Sequence, residues 1–446
     1  MALGSQKPVY QEPEEGADVD AKIQRIKDSD IRNGVQQAVR RNLLPAATQD
    51  FYPGFFYICA DGMSYGGGAT WPGLDSWQMA GAYLLLGKTR LVTDYFDYVR
   101  SSQRKDGNIP FAIFKGETDP GTTFLRGLRK PEDVFTYIPP KRPHLRPSSQ
   151  ETREWVGLFT HWETQSRPLN VLGPVCYVLT AAEIHDAVHN TPWLEERLPS
   201  LESAANFVAS QIGPNGLVAG SGFYMELPPR NGFDGVTQCY AVHAFREMAR
   251  LLIAVGKKKE AHDWSHRAEL LTKSFVDAFW RRDHFGEYIH PERGLVDSHG
   301  MSDTNWAAVA FGLADQHHLH NLWPSMMPDD SFWWGEMPTQ PVTKPFGYEA
   351  WEDEPVPFAI PSLHNDIAAM GRVWYLEALA CKRMNAHDRI VEGAKKIALA
   401  AKDGYWRERY HPQVDGSVKP DGAQKYCEYP AVLTRIVLSN ERIFLQ

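Results

Sequence analysis

The sequence predicts an all-α fold, a toroid of helical hairpins with its long loops on one rim, and three observations predict it. Apolar residues recur at three- and four-residue steps in nearly every clearly periodic segment, while strand-like alternation is scarce. The helical segments come in pairs, joined by short polar turns at Gly87-Lys88-Thr89, Gly256 to Lys258 and Asn385-Ala386-His387. Turns this short make the two helices antiparallel neighbours. Every long loop follows the second helix of a pair, so a closed ring of such hairpins gathers the loops on one rim.

In chain order the predicted helices are Ile31 to Leu44, Asp75 to Leu86, Arg90 to Arg104, Leu169 to Val188 and Leu198 to Ile212. They continue with Thr237 to Val255, Lys259 to Trp280, Thr304 to Leu313, Asn365 to Met384, Arg389 to Lys402 and Pro430 to Ser439. Asp75 and Gln78 fit a capping box at the start of the second helix, and Asp234 before Gly235 fits an N-cap. His317, His318 and His320 read as a solvated helix C-terminus, with no acids or cysteines at metal-ligand spacing. The long loops are Asp106 to Thr164, Gly213 to Asp234, His284 to Asp303, Pro328 to His364 and Asp403 to Tyr429. Loops of such length inside a compact domain are usually functional, which places the expected active site on that rim.

No Ser-, Gly- or Pro-rich linker divides the chain, so residues 21–446 read as one catalytic domain, preceded by a flexible acidic arm over residues 1–20. The stretch Gly116 to Arg153, with Pro120, Pro131, Pro139, Pro140, Pro143 and Pro147, reads as an inserted lid.

Composition narrows the class. The 446 residues are 43% hydrophobic, 23% charged and 12% aromatic, enough apolar material for a large core. A net charge of −8 argues against a nucleic-acid partner. The five cysteines (Cys59, Cys176, Cys239, Cys381, Cys427) are scattered and form no CxxC pair, so neither a disulfide framework nor a zinc site is indicated. No run of 18 apolar residues occurs, and the acidic N-terminus resembles neither a secretory signal nor an anchor, so a cytoplasmic protein without a membrane partner is expected. The motifs GxGxxG after a strand, GxxxxGK[ST], HExxH and GxSxG are absent, and no cofactor or metal is expected.

The 14 Trp, 18 Tyr and 21 Phe offer faces on which sugar rings stack, though most aromatics pack cores. Cleaving a glycosidic bond needs one carboxylic acid to protonate the leaving oxygen and one carboxylate on the opposite face. Two rim loops carry acids among aromatics. In the run Gly222 to Gly235, Glu226 lies between Tyr224, Met225 and Leu227, where desolvation would keep a carboxyl protonated, and Asp234 is the alternative acid. In Tyr405 to Pro412, Glu408 stands between Arg407 and Arg409, which would keep it ionised as a base, with Glu428 as its rival. The expected sugar contacts are Trp71, Asp75, Trp77, Trp162, Gln165, Tyr224, Arg230, Trp334, Trp351, Trp406 and Tyr410.

These residues resemble the six-hairpin, (α/α)6 glycosidases, in particular relatives of glycoside hydrolase family 63 such as mannosylglycerate and glucosylglycerate hydrolases and processing α-glucosidase; trehalases and α-L-rhamnosidases share the barrel. The resemblance covers roughly Trp71 to Leu438. Arg104 to Pro110 is similar to the family's RNGMIPH turn, Thr164 to Pro168 to its TQPP helix start, and Asp366 to Ala380 to its penultimate hairpin. Trp406 to Gly416 is similar to the family's FREYFDPxTGEG loop, which implies that Glu408 is the base. The family's ESGxDNSPR loop has an Asp with no counterpart at the matching place here, so Glu226 or Asp234 stands in. The resemblance further implies inversion, with the two carboxyls about 6.5–9.5 Å apart to admit a water. An inverting, exo-acting α-glycosidase on a small glycoside or oligosaccharide is therefore expected. A sugar phosphorylase, epimerase or lyase, or a non-catalytic sugar-binding toroid, is the alternative, and a homo-oligomer is left open.

Overall fold

The computed structural model of the chain describes residues 17–47, 55–62, 70–115, 135–138, 155–158, 169–352 and 366–446. Helix α1 (Ala17–Gln24) leads to α2 (Ser29–Gln37), which runs on through a π-helical turn at Ala38–Leu43. Hairpins follow: α3 (Leu74–Leu85) with α4 (Thr89–Arg100), α5 (Leu172–Val188) with α6 (Thr191–Ser210), α7 (Gly235–Ala254) with α8 (Lys258–Phe279). Next come α9 (Asp303–Ala310) with α10 (Gln316–Met326), α11 (Gly371–Arg383) with α12 (His387–Ala400), and finally α13 (Glu428–Ser439).

The odd-numbered members from α3 onward form an inner ring: α3, α5, α7, α9, α11 and α13 each touch the next, and α13 returns to α3. Their sequences explain why they lie inside, since α13 is buried from Glu428 through Leu438 and α5 from Leu172 through Ala182. A helix that is apolar on every side must be covered on every side. The outer helices keep one wet face. In α8 the buried residues Ala261, Trp264, Ala268, Leu271, Phe275 and Phe279 recur at three- and four-residue steps. Inner helix and outer helix are joined through left-handed residues, Gly87, His189, Gly256, Gly312 and Asn385, with φ between 50 and 79°.

Among the described residues the last inner helix is followed only by the short helix Glu441–Phe444. Its outer neighbour is α2 with the π-helical turn, from the other end of the sequence, so the ring closes through both ends. An isolated antiparallel bridge between Ile26 and Leu445 holds the seam.

Small sheets decorate the rim. Strands β1 (Ala112–Lys115), β2 (Phe135–Ile138) and β3 (Trp155–Leu158) pair in the order β1-β3-β2. Strands β4 (Phe233–Asp234), β5 (Tyr288–His290) and β6 (Gly294–Val296) form a second sheet, and β7 (Arg407–Pro412) pairs with β8 (Val418–Gln424). Of the expected lid only Phe135–Ile138 lies within the described residues, and of the expected acidic arm only Ala17 to Asp20, which open α1.

Several expectations are corrected. Helix α6 starts at Thr191, seven residues before Leu198, because the Asn190 side chain caps Trp193 N–H at 3.0 Å and Pro192 falls in the first turn, where its missing N–H costs nothing. The histidine cluster opens α10 rather than ending a helix: Asp315 is its N-cap and forms a capping box with His318. Asp75 and Gln78 form no capping box, since Gly73 is the N-cap and makes no side-chain cap. The loop Asp403 to Tyr429 folds into the β7–β8 hairpin.

Candidate active site

The long loops run into the first turns of the inner helices, and those turns carry charge. Asp75 stands in the first turn of α3, Asp303 in that of α9, Glu428 in that of α13, and Asp234 caps α7. Acids are favoured there because the unpaired N–H groups and the helix dipole face them. Arg372, in the first turn of α11, answers them: its Nε donates to Glu428 Oε1 at 2.8 Å and its Nη2 to Asp75 Oδ1 at 3.2 Å. That one guanidinium ties three inner helices together at the rim end.

Above it lie the two loops picked out from the sequence. The β7 strand bulges between Arg407 and Arg409, and a bulge re-aims the side chain it contains. That side chain is Glu408, 4% exposed, whose Oε1 takes Arg409 Nη2 at 2.8 Å while Oε2 accepts the Ala423 N–H at 3.0 Å. Gly422 makes the room. It sits at φ +73°, and a Cβ there would lie 2.5 Å from Glu408 Oε2. On the facing loop, Glu226 and Leu227 donate their consecutive N–H groups at 2.6 and 2.9 Å to Oδ2 of Asp366, which lies in the segment leading into α11. Asp366 Oδ1 is 3.5 Å from Arg409 Nε, so a chain of charge runs from the Glu226 peptide through Asp366 and Arg409 to Glu408.

Burial raises the Glu226 carboxyl, the charges of Asp366 and Glu408 push it further than Arg409 and Arg372 pull it back, and it settles at about 8. Glu428 is pushed up to about 7, by burial first and then by Asp75 and Glu408 against the pull of Arg372. Glu408 is thus the carboxylate whose charge both of the others feel.

A second buried cluster adjoins the first. Arg230, 1% exposed, donates to Asp234, Glu287 and Asp303 at 2.9, 2.8 and 2.8 Å. Asp234 has both oxygens engaged, because Oδ2 also caps α7 through the Thr237 N–H and hydroxyl, each at 2.7 Å. Tyr224 links the clusters: its hydroxyl donates to Asp303 at 2.6 Å, and the Arg372 guanidinium lies 5.9 Å from its ring centre. Glu287 also holds His299 Nδ1 at 2.5 Å, whose Nε2 meets Glu352 at 3.1 Å, and His299 stacks on Tyr348 at 3.7 Å. Burial would raise Glu287, but Arg230 and His299 outweigh it and hold it at about 2; burial would likewise discharge His299, but Glu287 and Glu352 lift it to about 9. Asp303 is raised to about 6, by burial first, against Arg230.

The structure brings together Glu226, Glu408, Asp75 and Tyr224, and places Arg230 and Asp234 in the adjoining cluster. Trp71, Trp334 and Trp351 keep part of their surface open. Trp77, Trp406 and Tyr410 are packed in the ring core instead: Trp77 Nε1 donates to Glu183 at 2.8 Å, Trp406 Nε1 to the Ile397 carbonyl at 2.9 Å, and the Tyr410 ring meets Tyr429 edge-on. Trp162 and Gln165 lie outside the described residues. Asp366 and Arg372, absent from the sequence-based candidates, are central here. Their only signal was position, just before and within the first turn of a helix that follows a long loop. Among the described residues no group of His, Cys, Asp or Glu is placed to hold a metal ion, and no helix is long and apolar enough to cross a membrane.

No family model matches the sequence, and no curated protein does. Among solved structures the chain is similar to the GH63 mannosylglycerate hydrolase from Thermus thermophilus in complex with glucose, with TM-score 0.60 and 13% identity over 90% of this chain and 98% of that one. It is similar to the GH78 family rhamnosidase of Bacillus sp. GL1, with TM-score 0.60 and 14% identity over 94% of this chain, and spans 35% of that chain's length. It is similar to a bacterial glucoamylase complexed with acarbose, with TM-score 0.57 and 11% identity over 95% of this chain and 57% of that one. These likenesses are of architecture, and with the closed inner ring of six helices they show that the chain has an (α/α)6 toroid fold.

Proposed function

We propose that the chain is a glycoside hydrolase in which Glu226 is the general acid and Glu408 the general base. The observation that carries this reading is the unlike surroundings of two neighbouring carboxyls on the rim. Glu226 is lifted to about 8 and so holds its proton at neutral pH, while Glu408 is gripped by a guanidinium and a peptide N–H. Unlike surroundings for two neighbouring carboxyls are how one site runs acid and base chemistry together. In the proposed reaction Glu408 takes a proton from water as its oxygen attacks the anomeric carbon. The bond to the leaving oxygen breaks, and that oxygen takes the proton of Glu226. The configuration at the anomeric carbon inverts.

Asp234 is the weaker acid candidate because both of its oxygens are spent on Arg230 and Thr237. Glu428 is the weaker base candidate because it is 1% exposed, its Oε1 is bound to Arg372, and the charge of Glu408 helps keep it protonated. The finer reading is an exo-acting α-glycosidase on a small glycoside or oligosaccharide, supported by the resemblance of the Glu408 loop and by the names of the similar structures, a mannosylglycerate hydrolase, a rhamnosidase and a glucoamylase. Five buried cysteines, all outside disulfides, fit the cytoplasm.

The test pairs Glu226→Gln and Glu408→Gln on 4-nitrophenyl α-glycosides of several sugars and on the matching disaccharides. Losing the base should abolish turnover of both kinds of substrate. Losing the acid should cost about 10²–10⁴-fold on disaccharides but far less on nitrophenyl glycosides, whose leaving group needs little protonation. In the parent enzyme, kcat/KM on a disaccharide should fall as pH rises through about 8. Parental turnover of a disaccharide by both variants would sink the assignment, and NMR of the first-formed anomer decides inversion.

A further inference from the structure

We propose that Asp366 is a positioning residue, a brace that fixes the acid loop to the base hairpin by holding the Glu226 peptide on one side and the guanidinium that grips Glu408 on the other. The inference rests on the reading of Glu226 and Glu408 given above. It begins from the geometry of a single carboxylate, 4% exposed. Oδ2 accepts two consecutive peptide N–H groups, and the Asp366 N–H returns a bond to the Leu227 carbonyl at 3.0 Å, so the two segments are locked in both directions. Oδ1 faces Arg409, whose other nitrogen holds Glu408. Three residues on, Ala369 pairs with Tyr410 of β7 through bonds of 3.0 and 3.1 Å, and the same segment then enters α11, where Arg372 binds Glu428 and Asp75. One short stretch therefore touches every element that carries an acid of the first cluster.

An asparagine would be nearly the same shape, so the charge of Asp366 needs its own reason. An amide oxygen could still accept the Glu226 and Leu227 N–H groups, but its NH₂ would point donors at the Arg409 donors. The anion keeps Arg409 in register with Glu408. It also makes ionisation of Glu226 harder, because among the charges acting on Glu226 Asp366 and Glu408 oppose its ionisation while Arg409 and Arg372 favour it.

The experiment is a pH profile of kcat and kcat/KM on the best disaccharide substrate for the parent, Asp366→Asn, Asp366→Glu and Glu226→Gln. Asp366→Asn is expected to lower kcat about tenfold or more with little change in KM, and to move the alkaline limb about one pH unit toward acid. Asp366→Glu restores the charge on a longer arm, so it should keep the parental limb while losing kcat. A general loosening of the fold would lower activity without moving the limb. Asp366→Asn with a parental limb and kcat within about twofold overturns the brace, as does an Asp366→Glu limb displaced as far as that of the amide. If the amide does not fold, the Asp366→Glu profile decides alone. Glu226→Gln separates the two levels of inference: parental turnover there removes the acid assignment itself, whereas its loss beside an unchanged Asp366→Asn profile removes only the brace.

Discussion

A carboxyl lifted to about 8 stores a cost that the folded chain bears whenever it ionises, and Glu226 therefore links stability to pH. Its pKa is raised on folding, so the favourable contribution of the protonated form is complete below the unfolded value near 4.5 and is lost as pH rises toward about 8. Glu226→Gln removes that loss. The variant should be more stable than the parent by about 1–3 kcal/mol near pH 8, with little difference near pH 4.5, as read from denaturant midpoints at the two pH values. An equal shift at both would mean that Glu226 ionises freely. The neighbouring Arg230 shows why residue roles were only half legible in the sequence. An Arg among loop acids reads alike whether it meets a sugar or three carboxylates, and two of its partners lie 57 and 73 residues further along the chain. Asp234 was the converse, since Asp before Gly at a helix start is a local signal, and its capping role is the one observed.

Elements were legible where their burial pattern was local. Inner and outer helices announce themselves through apolar spacing, but α10 was hidden because His317, His318, His320 and Pro324 interrupt that spacing with polar and helix-breaking residues. The β7–β8 hairpin was hidden by the residues on its inward face. Along β7 the inward positions are Glu408, Tyr410 and Pro412, and a glutamate at an inward position masks the alternation that marks a strand. That hairpin is shaped around Glu408 by the bulge and by Gly422. Gly422→Ala would put a methyl within 2.5 Å of Glu408 Oε2 at a left-handed φ of +73°, so the carboxylate must shift. The expected result is a loss of kcat of about tenfold or more, since misplacement by about an ångström costs that much or more, with the α-helical circular dichroism unchanged. Parental kcat in Gly422→Ala would show that the position of Glu408 is not held by this contact.

At the scale of the whole ring, the hairpins and the toroid were readable but the contacts that close it were not, because they join residues far apart in the sequence. Ile26 pairs with Leu445, Lys27 N–H donates to the Phe444 carbonyl at 2.9 Å, and Gln446 N–H donates to the Arg25 carbonyl at 3.0 Å. Helix α2 fills the outer position beside α13 and also packs on α12, and it comes close because Gly34 presents no side chain. A Cβ on Gly34 would collide with Ala398 Cβ and lie 2.9 Å from its Cα. A ring differs from an open stack of hairpins in that each inner helix supports the next all the way round, so a gap between α13 and its cover is felt by α3 and α11 as well. The Arg372 link from α11 to Asp75 of α3 and Glu428 of α13 stands at that junction. Gly34→Val should therefore cost about 1–3 kcal/mol by overpacking, and the loss should spread beyond α2. Hydrogen exchange is expected to speed up in α2, α12 and α13 and at the first turns of α3 and α11, with activity falling in step. Faster exchange confined to α2, with activity kept, would mean that α2 covers the ring without closing it.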